Sequence, residues 1–340
     1  MNTAAFTSAQ LLGHGSFRYR VNPTWGDLDP ARYPVNDCHE LIIDRRGRIF
    51  LLTNETRNNV LVYNKDGRLL NAWGTDYPGA HGLTLSCEGE DEFLLIADFV
   101  RHEVIKTTLD GRVVMTFPYP AESGAYESGE HFKPTETAVN PLNGDVYVSD
   151  GYGRQIVTRY NHRGEYLQHW GGWPSRQWPT ETPIDQKMPF HCAHGVAVDT
   201  RPTATYDGQP TLLVTSRNHN CFRRYTLNGM WLATIHLPGS FVCRPVIHGQ
   251  NLYAAAFRST TNKTENSGYV QVLDERDRVV STPGGTAPAY DADGRLAEQR
   301  QAPDAPFRHP HDVCVDEDEN LYVAQWNSGK TYPIRLERIP

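Results

Sequence analysis

Three histidines head three similar short phrases: His81 in AHGLTLS, His194 in AHGVAVD and His311 in PHDVCVD, spaced 113 and 117 residues apart. Imidazole is the commonest side-chain ligand for metals. Three imidazoles converging on a point, with one position left open, make a Lewis-acid centre that lowers the pKa of a bound hydroxyl. A single histidine on a strand is usually structural, but chance rarely places three in one register of a repeated phrase. His39, in CHELIID, shares that register. It is an extra ligand, a partner orienting the ligands, or a base lining the same space. Glu136 and Asp312 directly follow the register position. An Asp there orients an imidazole, or binds a hard cation together with main-chain carbonyls.

The elements that must position these histidines are short strands. Glycine and proline punctuate many runs of alternating polar and apolar residues, and no long stretch keeps a 3.6-residue period; the pattern is all-β. The runs also repeat. Residues 40–74, ELIIDRRGRIFLLTNETRNNVLVYNKDGRLLNAWG, contain four candidate strands. The same order recurs from His81, from Thr135 and, with an inserted loop around RPTATYDGQP, from His194. A more degenerate fifth copy runs from about Val242 to Val280, and a sixth starts at His311. Asp-Gly, Arg-Gly or Asn-Gly recurs before the outermost strand, as hairpin chemistry requires.

A period of roughly 40–45 residues with four strands per unit marks a β-propeller. The sixth copy ends after its third strand, TYPIRLERIP, while the N-terminal FRYRVNPTWGDL resembles the fourth-strand phrases LLNAWG and YLQHWG. That segment, about residues 16–28, is expected to complete the last blade and close the ring, removing an open edge. The prediction is an all-β, six-bladed β-propeller of four-stranded blades, with residues 1–340 as a single domain. GWPSRQWPTETPIDQKMP and TPGGTAPAYDADGRLAEQRQAPDAP are then loops over a face. The first strand of each blade lines the channel. His81, His194 and His311 fall in blades two, four and six, about 120° apart around the axis, so their rings meet near one channel mouth.

A net charge of −7 gives no electrostatic basis for binding nucleic acid or an anionic membrane. No apolar run reaches membrane-span length, and the start, MNTAAFTSAQLLGHGSF, lacks the basic and apolar regions of a signal peptide. The cysteines at 38, 87, 192, 221, 243 and 314 include no CxxC pair, which argues against a zinc ribbon or a thioredoxin-like site. Cys192 and Cys314 lie in strand-like runs, where cysteine acts as a small buried residue. Reduced thiols, a cytoplasmic location and a small-molecule partner are expected.

At these residues the chain resembles the peptidyl-α-hydroxyglycine α-amidating lyase family, six-bladed propellers of the NHL-repeat type. The similarity is carried by AHGLTL…LIADFVRHEVIK, HFKPTETAVNPLNGDVYVSDGYGRQIV…YNHRGEYLQHWG, AHGVAV…LLVTSRNHN and RHPHDVCVDEDENLYVAQW. FKPTETAVNP and YVSDGY are the most specific phrases. The resemblance implies that His81, His194 and His311 bind the catalytic metal, zinc in that family; the residues alone favour Zn, Fe, Cu or Ni. It also implies a structural calcium, held by the carbonyls of Leu41 and Leu83 and the side chain of Asp312. Tyr152, in SDGYG, matches the family's catalytic tyrosine. Arg217, in VTSRNHN, matches one of two arginines that line the substrate site. His102, in RHEVIK, matches a family histidine, with an inter-blade structural role equally open. Phe99 and Trp326, at equivalent blade turns, wall the pocket or simply pack. The substrate in such enzymes is a carbinolamide, whose hydroxyl loses its proton while the C–N bond breaks to release an amide and glyoxylate. A tyrosine serves as base there only if a cation depresses its pKa well below about 10.

The chain also departs from the family. The second arginine belongs to the blade-one loop, here LTNETRNNVLVY, where the ungapped match is Glu55, with Arg57 two residues on. Glu55 in that place repels a substrate carboxylate unless Arg57 supplies the cation from a shifted loop. The cysteine that follows the family's tyrosine is Gly153 here, so that disulfide is absent. Both departures point to an intracellular relative acting on a different small molecule. The expected activity is that of a metal-dependent lyase cleaving a C–N or C–O bond of a small polar hydroxylated substrate. A metal-dependent hydrolase or lactonase is the alternative; a calcium-based one needs several Asp, Glu or Asn in the channel register. A noncatalytic NHL-repeat scaffold for a protein partner predicts a broad basic or aromatic face and no buried histidine cluster.

Overall fold

In the computed structural model, which describes residues 10–172, 189–259 and 267–340, the alternating runs form six antiparallel sheets arranged as the blades of a propeller. Blade one is Cys38–Ile43, Ile49–Thr53, Val60–Tyr63 and Leu69–Trp73, and blade two is Ala80–Glu88, Asp91–Asp98, Glu103–Thr108 and Val113–Phe117. Blade three comprises Glu136–Val139, Val146–Ser149, Ile156–Tyr160 and Tyr166–Gly171; blade four comprises Ala193–Asp199, Thr211–Ser216, Cys221–Thr226 and Trp231–His236. Blade five is shorter, with Val246–His248, Asn251–Ala256, Tyr269–Leu273 and Val279–Ser281. The predicted loop over residues 172–189 lies almost wholly outside the described residues.

Blade six shows the predicted closure. Pro310–Val315, Leu321–Gln325 and Ile334–Ile339 come from the C-terminal end, and Phe17–Asn22 pairs antiparallel with Ile334–Ile339 in the register Arg18↔Ile339 to Asn22↔Arg335. The strand is shorter than the expected 16–28. A further strand, Leu11–His14, folds back on it through the two-residue turn Gly15-Ser16. This fifth strand escapes the sequence pattern because LLGH is too short to show an alternation.

The middle strands of each blade are buried on both faces, as in VLVY (60–63) and TLLVTS (211–216), because each sheet is sandwiched between its neighbours. The core therefore lies between blades; Tyr253 and Val272 of blade five, for example, pack in one cluster with Val313 and Val323 of blade six. Outer strands face solvent and carry exposed apolar residues such as Leu70 and Trp231. Blade five looked degenerate for a local reason. Its hairpin turn has no glycine, and Asp277 takes the left-handed conformation there (φ 61°) while pairing with Arg201 and Arg224. Among the described residues no helix is long and apolar enough to cross a membrane, and all six cysteines are free thiols.

Candidate metal centre and substrate cavity

The register position that holds His39, His81, His194 and His311 coincides with an irregularity on the inner strand of each of their blades. Pairing shifts between Cys38 and Glu40, between Ala80 and Gly82, between Ala193 and Val196, and between Pro310 and Asp312. A β-bulge turns the extra residue out of the normal alternation. The four imidazoles thereby leave the sheet faces and gather at the axis. All four are buried, with ring centroids 4.6 Å apart for His39–His81, 4.7 Å for His81–His194, and 4.9 Å between His311 and each of the others.

Hydrogen bonds fix two of the tautomers. A carbonyl can only accept, so His81 donates from Nδ1 to Thr135 O (2.7 Å) and His311 donates from Nδ1 to His39 O (3.0 Å). Each then keeps a bare Nε2. The Nε2 of His81 lies 3.0 Å from the Tyr152 hydroxyl and 3.2 Å from Nε2 of His194, and Tyr152 Oη is 3.3 Å from that same His194 nitrogen. Two nitrogens on one tetrahedral ion at about 2.0–2.1 Å stand about 3.3 Å apart, so the His81–His194 spacing fits a shared metal. The buried Nδ1 atoms of His39 and His194 have no hydrogen-bond partner. Burial pushes His81, His194 and His311 well below the ordinary imidazole value, and His39 to about 4, with neighbouring histidines and Arg217 adding to the effect. The rings are therefore neutral at pH 7, the state in which nitrogen can take a metal.

Blades three and five put Thr135 and Cys243 at the same level. Cys243 is held by its backbone N–H to Ala255 O (2.8 Å), and its sulfur comes within 4.8 Å of ligand atoms of both His194 and His311. Sequence reasoning missed this thiol because the inner strand of blade five begins only at Val246, and no histidine phrase marks the register.

Above the tier lies a cavity of about 320 Å³, built by the same turn of every blade, the one after the second strand. Asn54, Phe99, Tyr152, Arg217, Phe257 with Arg258, and Trp326 come from these six turns. Arg217 and Arg258 stack on the Phe257 ring at 4.5 and 5.0 Å, and Arg258 also covers Phe241 at 4.5 Å. Burial and the charge of Arg217 lower Arg258 to about 10. Burial likewise raises the Tyr152 phenol above its usual range, while the adjacent Arg217 guanidinium pulls it back. Aligning AAAFRST with VTSRNHN sets Phe257, not Arg258, opposite Arg217; Arg258 lies one residue beyond that register and so escaped the sequence comparison.

Glu55 and Arg57 are placed differently from expectation. They pair with each other at 3.2 Å, Arg57 is exposed, and neither lines the cavity. The Arg57 backbone N–H also binds the Glu55 carboxylate, so the half-buried Glu55 is engaged by its own turn rather than aimed into the cavity. The loop instead presents Asn54, whose side-chain carbonyl accepts from the Asp37 N–H (3.0 Å), and Asp37 also lines the cavity. His102 bridges blades, donating from Nδ1 to Phe132 O at 2.8 Å. Cys192 lies just before its strand at φ 63°, rather than inside it.

The implied calcium does not fit. Leu41 O and Leu83 O accept from the Arg244 guanidinium at 2.9 and 2.8 Å, and Asp312 accepts from it at 2.7 and 3.2 Å. A buried arginine stands among the donors that the ion would need.

Fold and site define a six-bladed propeller with a histidine tier at one end of its channel and an arginine-bearing cavity above it. No protein-family model matches the chain. The chain resembles amidating lyases: it is 33% identical over 110 residues to peptidyl-α-hydroxyglycine α-amidating lyase 1 of Drosophila melanogaster, covering 31% of this chain and 19% of that one. It is 28% identical over 95 residues to peptidyl-glycine α-amidating monooxygenase B of Xenopus laevis, covering 27% and 10%. The match thus spans a fifth or less of these curated relatives. Among solved structures, a streptogramin B lyase superposes with a TM-score of 0.56 at 12% identity, covering 89% of this chain and 94% of that one. The virginiamycin B lyase of Staphylococcus aureus superposes at 0.51 and 12%, covering 95% and 88%. These two likenesses show the fold.

Proposed function

We propose that the protein is a metal-dependent lyase that breaks the C–N, or C–O, bond at a hydroxyl-bearing carbon of a small polar substrate carrying an anionic group. The convergence of His81, His194 and His311, with His39 and Cys243 beside them, is the observation that carries this reading. These side chains would hold zinc or another imidazole-preferring divalent ion, which supplies Lewis acidity toward a hydroxyl oxygen when bound.

The chain's own residues supply the rest. Arg217 and Arg258 offer two cations to the anionic group, and Phe99, Phe257 and Trp326 exclude water around it. Tyr152, between His81 and Arg217, would take the hydroxyl proton once a bound metal ion together with the Arg217 guanidinium outweighs the burial that holds the phenol above its usual range. As the proton leaves, the carbon becomes a carbonyl, and the electrons of the C–N bond pass to nitrogen, which is then protonated. The buried histidine cluster speaks against a noncatalytic scaffold. Free thiols throughout the described chain favour a reducing compartment.

Metal analysis of the purified protein tests the reading first: about one equivalent of a divalent transition metal is expected, and a protein that contains and binds none sinks it. His194→Ala should lose that metal and keep the far-ultraviolet circular dichroism of the folded ring. Global unfolding of this variant would make the histidine structural instead. A carboxylate-bearing carbinolamide then provides the substrate assay, read by glyoxylate release.

A further inference from the structure

One residue below the histidine tier, the channel carries a second ring of residues: Glu40, Gly82, Glu136, Gly195, Arg244 and Asp312. The two glycines allow the inner strands to close up. A Cβ on Gly82 would lie 2.8 Å from Thr135 O, and one on Gly195 would lie 2.7 Å from the Arg244 Cα. Three carboxylates, each no more than 1% exposed, therefore surround one guanidinium. Arg244 binds Asp312 twice and the carbonyls of Leu41 and Leu83 once each, and it stands 3.6 Å from Glu40 and 3.8 Å from Glu136. One arginine so connects blades one, two, five and six. The oxygens facing it are the donor set of a hard cation: two main-chain carbonyls and several carboxylate oxygens, one of which, Glu136 Oε2, has no hydrogen-bond partner.

We propose that Arg244 is a tethered replacement for a divalent cation, so that the native ring needs no calcium and removal of the guanidinium uncovers a calcium site. Burying three carboxylates without a cation is prohibitive; the guanidinium supplies one positive charge, and a divalent ion in its place would supply two. Geometry differs between the two. The guanidinium is planar and spreads its donors over oxygens on opposite sides of the channel, whereas an ion would draw six to eight oxygens toward one point. The inference does not rest on the lyase reading, because it concerns the ring below the histidines.

Thermal unfolding of the purified protein and of Arg244→Ala, each with and without millimolar CaCl₂, tests it. The native protein should keep the same Tm in both buffers. Arg244→Ala should unfold at lower temperature, regain several degrees on adding CaCl₂ but less with MgCl₂, and bind about one equivalent of calcium by titration calorimetry. A calcium-dependent Tm of the native protein would overturn the proposal, as would a folded Arg244→Ala indifferent to calcium. If Arg244→Ala fails to fold in either buffer, Arg244→Met, which fills the space without charge, decides in the same assay: indifference to calcium counts against the proposal, and stabilisation by it counts in favour.

Discussion

Arg258 makes no ion pair among the described residues, although it is only 7% exposed. Its ring contacts with Phe241 and Phe257 offset part of the cost of burying it, and the neighbouring charge of Arg217 adds to that cost. An anion in the cavity would satisfy both groups at once. A charged hydrogen bond contributes about 1.5–3 kcal/mol. Arg258→Met is therefore expected to weaken a carboxylate-bearing substrate or product analogue about 10- to 100-fold in calorimetry, with metal content and Tm nearly unchanged. Equal affinity would place the anion elsewhere. At this scale the register of the histidines was legible because repeats align it, Tyr152 and Arg217 were singled out through the family resemblance, and Phe99 and Trp326 were recognisable as equivalent turn residues. Glu55 and Arg57 were misplaced because an ungapped count fixes position along the chain, not the direction a turn gives its side chains. Arg258 and Cys243 were hidden by the irregular blade five.

Among the elements, the inner-strand bulges and the closing strand matter most. The alternation in AHGVAVD predicts a strand, but a regular strand would leave His194 on a sheet face; the register shift between Ala193 and Val196 brings it to the axis. Sequence shows such a bulge poorly, since one extra residue scarcely disturbs a short alternating run. The closing strand was legible because its phrase resembles other outer strands. Its contribution rests on Tyr19 and Val21, both buried in the cluster that also holds Leu321 and Leu336. Arg338, paired opposite Tyr19, lies over that ring at 5.6 Å. Truncating a large buried aromatic costs about 3–5 kcal/mol. Tyr19→Ala should lower the free energy of unfolding by that amount in urea titration, while the folded fraction still binds metal. A loss under about 1 kcal/mol would show that closure depends little on this strand.

The whole molecule is a ring whose first and last strands share a blade. The axis carries its chemistry in levels: turn residues around the cavity, then imidazoles with a thiol, then carboxylates around Arg244. No short segment of sequence contains any of these levels, which is why the calcium expected from a local match gave way to an arginine from a different blade. The pairing of Arg18 with Ile339, and the bond from Val21 N–H to Gln10 O at 3.0 Å, bring the N- and C-terminal segments side by side. The two ends lie two strand spacings apart and are offset by four residues along the strands, a gap of about 16 Å, or about five residues of extended chain. The ring consequently has no privileged starting point, and a circular permutant should fold. Joining Pro340 to Gln10 through a short Gly-Ser linker and opening the chain between the exposed residues Asp207 and Gly208 is expected to preserve the circular dichroism spectrum and the metal stoichiometry. An insoluble or metal-free product would mean that the order of the blades along the chain, and not only their arrangement in space, guides assembly.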